Sequence, residues 1–400
     1  MKKLSNYCFV AILSLFFSMS FTACSDDNED DSKKQEQQKL EERDKAYAEI
    51  VDAFIHKTVV PTYEKMALKS SELVKDLREY RKNPTQANLD KACEDFLASR
   101  MWWERSEAFL FGAASDFGID PHIDSWPLDL PALQKYLGTA TNIEDLDGDD
   151  YDIAARTKLG QELLGYHGVE YILFENGKPR EAGKIKDEYL VYAIAVAGDL
   201  RNSCWQLLTS WAGEKYASKL DAAQVKHIIE DVELGITVSG GEHSYGENIL
   251  LAGQPGSLYR SWVAALQEIV SGCNSICDEV GTSKIGSAHT GEDISYIESP
   301  YSQMSIHDFH NNIISVENVY YGGIEGNRGA SIHNYMAKHN KEMDMKVTAA
   351  ITKAQTAIKN MKAPFVLNYK DASCKAAIDA CKELDETLSE LKTELKKITA

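Results

Sequence analysis

An all-α chain built as two helical-bundle domains is the fold this sequence predicts. Apolar residues recur at helical spacing in nearly every periodic segment, and no convincing run of alternating apolar and polar residues marks a strand. The helical segments also fall into two groups, separated by the turn-rich stretch ENGKPREAGK at 175–184. A length of 400 residues suits two domains of ordinary size.

The N-terminus stands apart from both. Lys2 and Lys3 precede CFVAILSLFFSMSF, an apolar run shorter than the ~20 residues that span a bilayer. The run ends at FTAC, residues 21–24, so residues 1–23 read as a secretory leader. Cysteine directly after Phe-Thr-Ala resembles a bacterial lipobox. Cys24 is therefore the expected lipidated N-terminus, an anchor rather than a span. Residues 24–39 read as a solvated acidic tether, being rich in Asp, Glu, Gln and Lys. The run SDDNEDD just behind the cysteine resembles an export signal of surface lipoproteins. The expected location is thus the cell envelope, lipid-anchored to the outer membrane and exposed at the surface.

Charge narrows the partners. The formal net charge is −19, and losing a leader that carries two lysines and no acid makes it −21. Such a field repels nucleic acid and anionic head groups, so no nucleic-acid partner is expected and the membrane is met through the lipid anchor.

The N-terminal domain, 40–180, opens with a helix over 40–58 that lines up Leu40, Tyr47, Val51 and Phe54. Pro61 begins the second helix, NPTQ at 83–86 breaks the chain, and a third helix carries Leu89, Cys93 and Phe96 on one face. A further helix is expected over 152–175. The C-terminal domain, 181–400, has helices at about 186–216, 220–235, 258–280, 306–321, 341–362 and 372–398. In the last, Ala377, Cys381, Leu384, Leu388, Leu391, Leu395 and Ile398 alternate at 4-3 spacing, which suits packing within a bundle. Three long irregular segments, 112–150, 236–257 and 281–304, contain aromatics and buriable residues and are expected to be ordered. Cys93, Cys204, Cys273, Cys277, Cys374 and Cys381 all fall on apolar helical stripes and read as buried free thiols.

Two apolar stripes are interrupted by charge. The third helix continues its 4-3 spacing through Arg100, Trp103, Glu107 and Leu110. In the segment GYHGVE, the stripe of Leu159 and Leu163 passes through His167 and Glu170 to Phe174. Residues at i and i+3 share a helix face, so His167 and Glu170 point together toward the core. Buried ionisable groups are costly unless paired or coordinated. One reading is an internal salt-bridge network, such as Arg100 with Glu170, that fixes register. The other is a polar pocket between helices, favoured by Gly165 and Gly168, each of which costs about 1 kcal/mol mid-helix and allows close approach of a backbone or ligand. His-x-x-Glu supplies one nitrogen and one oxygen ligand, short of the three protein ligands of a catalytic zinc. HIIE at 227–230 reads as a surface pair, and DLDGDDYD at 145–152 as a solvated acidic loop without EF-hand spacing.

GYHGVE also resembles the Gly-x-His-x-x-Glu motif of the imelysin-like family. VVPTYEKM, ASRMWWERSEAFLFG at 98–112, DPHIDSWPLD at 120–129 and ESPYSQMSIHDFHNNI at 298–313 resemble its other stretches in the same order, over most of the mature chain. The resemblance implies two helical-bundle domains with a pocket near their interface. It implies His167 and Glu170 as candidate metal ligands, with Arg100, Glu107, Ser302 and Asp308 as ligand-binding residues. Ser305 to Asp308 also reads as a capping box, which would make Asp308 a cap. The family is linked to iron uptake. The expected cargo is therefore iron or an iron-bearing ligand such as haem, with an outer-membrane uptake partner. The family name implies a zinc metallopeptidase as the alternative, and a metal-free small-molecule binder is the third.

Overall fold

A computed structural model describes residues 27–397, so the leader, Cys24 and Ile398 lie outside the described residues. The expected tether is helical from its fourth residue. Helix α1 (Asp27–Ala53) runs through it into the core, exposed over residues 32–39 and buried from Tyr47 on. A π-helical turn, Phe54–Val59, then joins α1 to α2 (Val60–Lys82). The second helix and α3 (Gln86–Glu104) form an antiparallel hairpin. Thr85 caps α3 by accepting a hydrogen bond from the Asn88 amide.

Here the structure departs from the third-helix reading. The helix stops at Glu104, and the Ser106 hydroxyl donates to the Trp103 carbonyl (2.7 Å), satisfying one of the end carbonyls. Glu107 consequently sits in a short 3-10 turn, Glu107–Phe109, rather than on the helix stripe. The segment 112–150 is ordered as short helices: α4 (Ala113–Asp116), α5 (Asp120–Ile123), α6 (Leu130–Leu137) and α7 (Ala140–Leu146).

The helix expected over 152–175 is two. The first, α8 (Tyr151–Lys158), ends at extended Leu159, and α9 (Gly165–Leu173) starts afresh after a 3-10 turn. Gly165 is therefore an N-terminal residue at φ +77°, not a mid-helix one. An Asn176–Gly177 turn, both at positive φ, closes a minimal hairpin of β1 (Phe174–Glu175) and β2 (Lys178–Pro179).

The long helix α10 (Asp187–Ala212) packs along α2 and also against α8 and α9, so contacts cross the stretch at 175–184. Gly213 at φ +83° ends it and α11 (Glu214–Lys226) follows. Within the later irregular segments lie α12 (Tyr245–Leu250) and, beyond α13 (Trp262–Glu279) and a further π-helical turn at Val280–Lys284, α14 (Gly286–Thr290). The chain closes with α15 (Ser305–Tyr320), α16 (Ile332–His339), α17 (Lys341–Lys359), α18 (Phe365–Asn368) and α19 (Ala372–Glu394). The 4-3 stripe of α19 is buried, packed against α17 and α13. All six cysteines of the described residues are buried and unpaired, as expected. No helix among the described residues is long and apolar enough to cross a membrane.

Candidate functional site

Six segments meet at one buried polar cluster: α3, the 3-10 turn Glu107–Phe109, the chain from Asp120 to Trp126, α9, the π-helical turn 280–284 and the stretch 298–308, a loop that runs into the first turn of α15. Gly165 explains how two of them meet. A Cβ there would lie 2.3 Å from the carbonyl oxygen of Ile123, so only glycine lets the backbone of Ile123 and Asp124 pass against α9. That approach puts Asp124 Oδ1 2.9 Å from His167 Nε2. Gly168 serves the other flank, where the Tyr192 hydroxyl would be 2.2 Å from a Cβ.

His167 and Glu170 are both 1% exposed and face the same way, with Nδ1 3.5 Å from Glu170 Oε2. Glu170 is held from its other oxygen: the amide and the hydroxyl of Ser302 donate to Oε1 at 2.7 and 2.6 Å. Ser302 thus positions the motif glutamate. The loop carrying it holds Ser299 and Gln303 at positive φ, strain of the kind that gathers at functional sites. Trp126 covers the imidazole with ring centroids 4.3 Å apart. Neither ring nitrogen of His167 makes an aligned hydrogen bond among the described residues, despite the short approach to Asp124.

The salt bridge between Arg100 and Glu170 does not form. Arg100 instead meets Asp124 (2.6 Å), Glu104 (2.8 Å), Glu298 (2.5 Å) and, more distantly, Asp308 (3.5 Å). The capping box is also absent. Met304 occupies the N-cap of α15, the Ser305 hydroxyl donates to the Glu298 carbonyl, and Asp308 accepts from Ser299 Oγ (2.6 Å). Glu107 is buried and faces Lys284, whose ammonium lies 3.4 Å from it and 3.1 Å from Glu298.

The residues missed from sequence are Glu104, Asp124, Trp126, Lys284 and Glu298. Glu104 had a local signal, four residues after Arg100 on one helix face. Asp124, Trp126 and Glu298 fall within the recognised stretches but in irregular chain, where periodicity carries no information. Lys284 lies in the polar run GTSK and gave no signal. Elsewhere, His227 pairs with Asp152 (2.8 Å) rather than Glu230, and Asp152, read as part of a solvated loop, is buried against Arg201 and Asn202.

Electrostatics follow from the packing of so many acids. Burial pushes Glu104 and Glu107 well above the usual carboxylate range, against the pull of Arg100 on Glu104 and of Lys284 on both. Burial also lifts Asp120 to about 7 and Asp308 to about 6. Asp124 goes the other way: Arg100 and His167 overcome its burial and hold it well below the usual range. For His167, burial and Arg100 push down, but Asp124 and Glu170 outweigh them and the pKa is raised.

A cavity of about 260 Å³ opens onto this cluster, lined by Glu107, Asp120, Asp124, Trp126, Lys284 and Glu298 among others. His167 does not line this cavity itself; it reaches it through Asp124, whose Oδ1 lies 2.9 Å from Nε2. Two donor sets have atoms within 4.8 Å of one another: Asp124, His167 and Glu298, and Glu104, Glu107 and Asp124. Larger clefts exist, one of about 410 Å³ beside Arg78 and Arg81, but their linings offer no comparable group of buried acids around an imidazole.

Comparison with known proteins adds a lineage. The family model described as Imelysin (Peptidase_M75) matches residues 59–391. Iron-regulated protein A of Synechococcus elongatus is 24% identical over 329 residues, 82% of this chain and 80% of that protein. The crystal structure of an iron-regulated protein A precursor from Parabacteroides distasonis is similar with a TM-score of 0.70 and 26% identity, over 88% of this chain and 96% of that one. An imelysin-like protein from Psychrobacter arcticum shares the fold at a TM-score of 0.58 and 13% identity, over 86% and 93% of the two chains.

Proposed function

The chain belongs to the imelysin family, and from that premise we propose that it binds iron as a cargo ion in the cell envelope, through the pocket around GYHGVE. The observation that carries this reading is the donor set. His167 is a buried imidazole with no aligned hydrogen-bond partner among the described residues, set against Asp124 and Glu298. One nitrogen with several carboxylate oxygens suits iron, whereas structural and catalytic zinc sites lean on histidine and cysteine. The cavity, about 260 Å³, falls below the usual ~300–1,000 Å³ of organic-ligand pockets, which favours a bare ion over haem. Trp126 and Ser302 orient the two motif residues, and Gly165 admits Asp124. The names of the cyanobacterial relative and the Parabacteroides protein support an iron-related role.

We also propose that the chain is a lipoprotein, acylated at Cys24 and held at the outer membrane by the anchor, a reading supported by FTAC behind a short apolar run, with the acidic SDDNEDD favouring the outer face. Mass spectrometry of the mature N-terminus tests this, and an unmodified Cys24 overturns it. The pocket is tested by elemental analysis and anaerobic titration of the apo protein with ferrous iron, zinc and haem. One iron per chain, lost in His167→Ala, is expected. Haem uptake without free iron, or zinc binding with peptide hydrolysis, would replace the reading with one of its rivals.

A further inference from the structure

Among Asp124, His167 and Glu298, the histidine is the uncommitted donor. Asp124 and Glu298 already have the Arg100 guanidinium at 2.6 and 2.5 Å, and Asp124 also accepts from the Trp103 indole (2.8 Å). Neither imidazole nitrogen makes an aligned hydrogen bond among the described residues. Whatever can reach that ring therefore decides what the pocket takes. His167 is 1% exposed and does not line the cavity. Trp126 does line it, and its indole stands against the imidazole with ring centroids 4.3 Å apart and planes inclined at 50°. One side chain thus walls the cavity and covers the histidine.

Two details make this indole a fixed wall. Its place follows from Asp124, two residues earlier, which is held by Arg100 and Trp103 and passes against α9 where only Gly165 leaves room. Its own Nε1 is buried without a hydrogen-bond partner among the described residues, whereas a buried tryptophan that serves packing alone usually finds one.

We propose that Trp126 sets the specificity of the site by steric exclusion: it admits to His167 a bare ion passed on from Asp124, and turns away iron that still carries an organic chelate. The proposal rests on the reading that His167 is a ligand to the cargo. Asp124 Oδ1 and His167 Nε2 are 2.9 Å apart, and an ion bonded to both at ~2.1 Å as neighbouring ligands needs no wider separation. A chelate extends beyond the iron on every side in its plane, into space that the indole fills. Rejection by a clash is a general source of specificity.

The test uses a planar ferric complex of a tetradentate Schiff base, a cationic chelate with open axial positions whose charge suits the acidic lining. Imidazole ligation changes its visible and electron paramagnetic resonance spectra. Wild-type protein and Trp126→Phe, which keeps a ring in place, are expected to leave those spectra unchanged. Trp126→Ala is expected to give the ligated spectrum, and Trp126→Ala/His167→Ala to lose it. Ethoxycarbonylation of His167 by diethyl pyrocarbonate, read by peptide mass spectrometry, should follow the same order: slow in wild type and Trp126→Phe, fast in Trp126→Ala. A purely packing role for the indole would lower the melting temperature of Trp126→Ala and leave His167 closed to both reagents, which overturns the proposal. Ligated chelate in wild type overturns it too. Should Trp126→Ala fail to fold, Trp126→Leu is put to the same two measurements and decides it. Failure of the underlying reading looks different, because wild type then takes up no ferrous iron, whatever the chelate does in Trp126→Ala.

Discussion

His167→Ala separates a binding site from a structural lock, because the remaining partners of its neighbours can be counted. Asp124 keeps Arg100 at 2.6 Å and the Trp103 indole at 2.8 Å. Glu170 keeps both hydrogen bonds from Ser302. Glu170 loses its one ion-pair partner among the described residues but keeps two donors on its other oxygen, so the cost is the lost packing of one imidazole under Trp126 with a share of that pairing. That is about 1–3 kcal/mol, below the range for deleting a phenyl ring. Arg100→Met is the contrast. It leaves Asp124, Glu104, Glu298 and Asp308 facing one another, and breaking a buried pair alone costs about 3–5 kcal/mol. Urea unfolding of the apo proteins should therefore rank Arg100→Met well below His167→Ala. Calorimetry with ferrous iron should show His167→Ala weakened by at least ~100-fold, since one of three donors is gone. A His167→Ala protein destabilised by more than ~4 kcal/mol, with iron affinity unchanged, would refute the reasoning and make the motif a register lock.

Four further outcomes are expected. The apo protein should lose stability as pH rises from about 6.5 to about 8. Asp308 and Asp120, raised to about 6 and about 7, hold protons in the folded state that the unfolded chain has already released, and the raised His167 adds loss as pH passes its folded value. Asp124, held low, works oppositely in acid below the ordinary carboxylate value, and His307 and His310, which burial holds below the ordinary imidazole value (His310 at about 4), oppose the loss up to about pH 6.5, so the net fall is expected above that pH. Iron affinity should climb over the same interval, because the ion competes with those protons; a melting temperature that rises steadily from pH 5 to 8 without metal would contradict this. Gly165→Ala should weaken iron binding more than any cavity argument allows, since its Cβ would push Ile123 and with it Asp124 away from His167; unchanged affinity would remove Asp124 from the site. Thiol titration should find six groups, Cys24 aside, that react slowly in the native state and fully in denaturant without reductant; two or fewer would mean disulfides the structure lacks.

Periodicity alone was enough for the helical class, the buried stripe of α19 and the six buried cysteines, because a 3.6-residue repeat records which face meets the core whatever the partner is. The same logic flagged Arg100, Glu107, His167 and Glu170 as charges on apolar stripes. It misjudged continuity: a stripe can persist in sequence while the helix ends, as after Glu104 and before Gly165, since breaks depend on local hydrogen bonds and on what packs alongside. The partners of those charges were decided by tertiary structure. Asp124, Lys284 and Glu298 come from irregular chain or a π-helical turn, where no repeat constrains direction, and they reach the cluster because distant segments pack there. Arg100 consequently meets Asp124 and Glu298 rather than Glu170: pairing in a desolvated interior is set by which carboxylates the fold brings within ~4 Å, a distance that spacing along the chain does not encode.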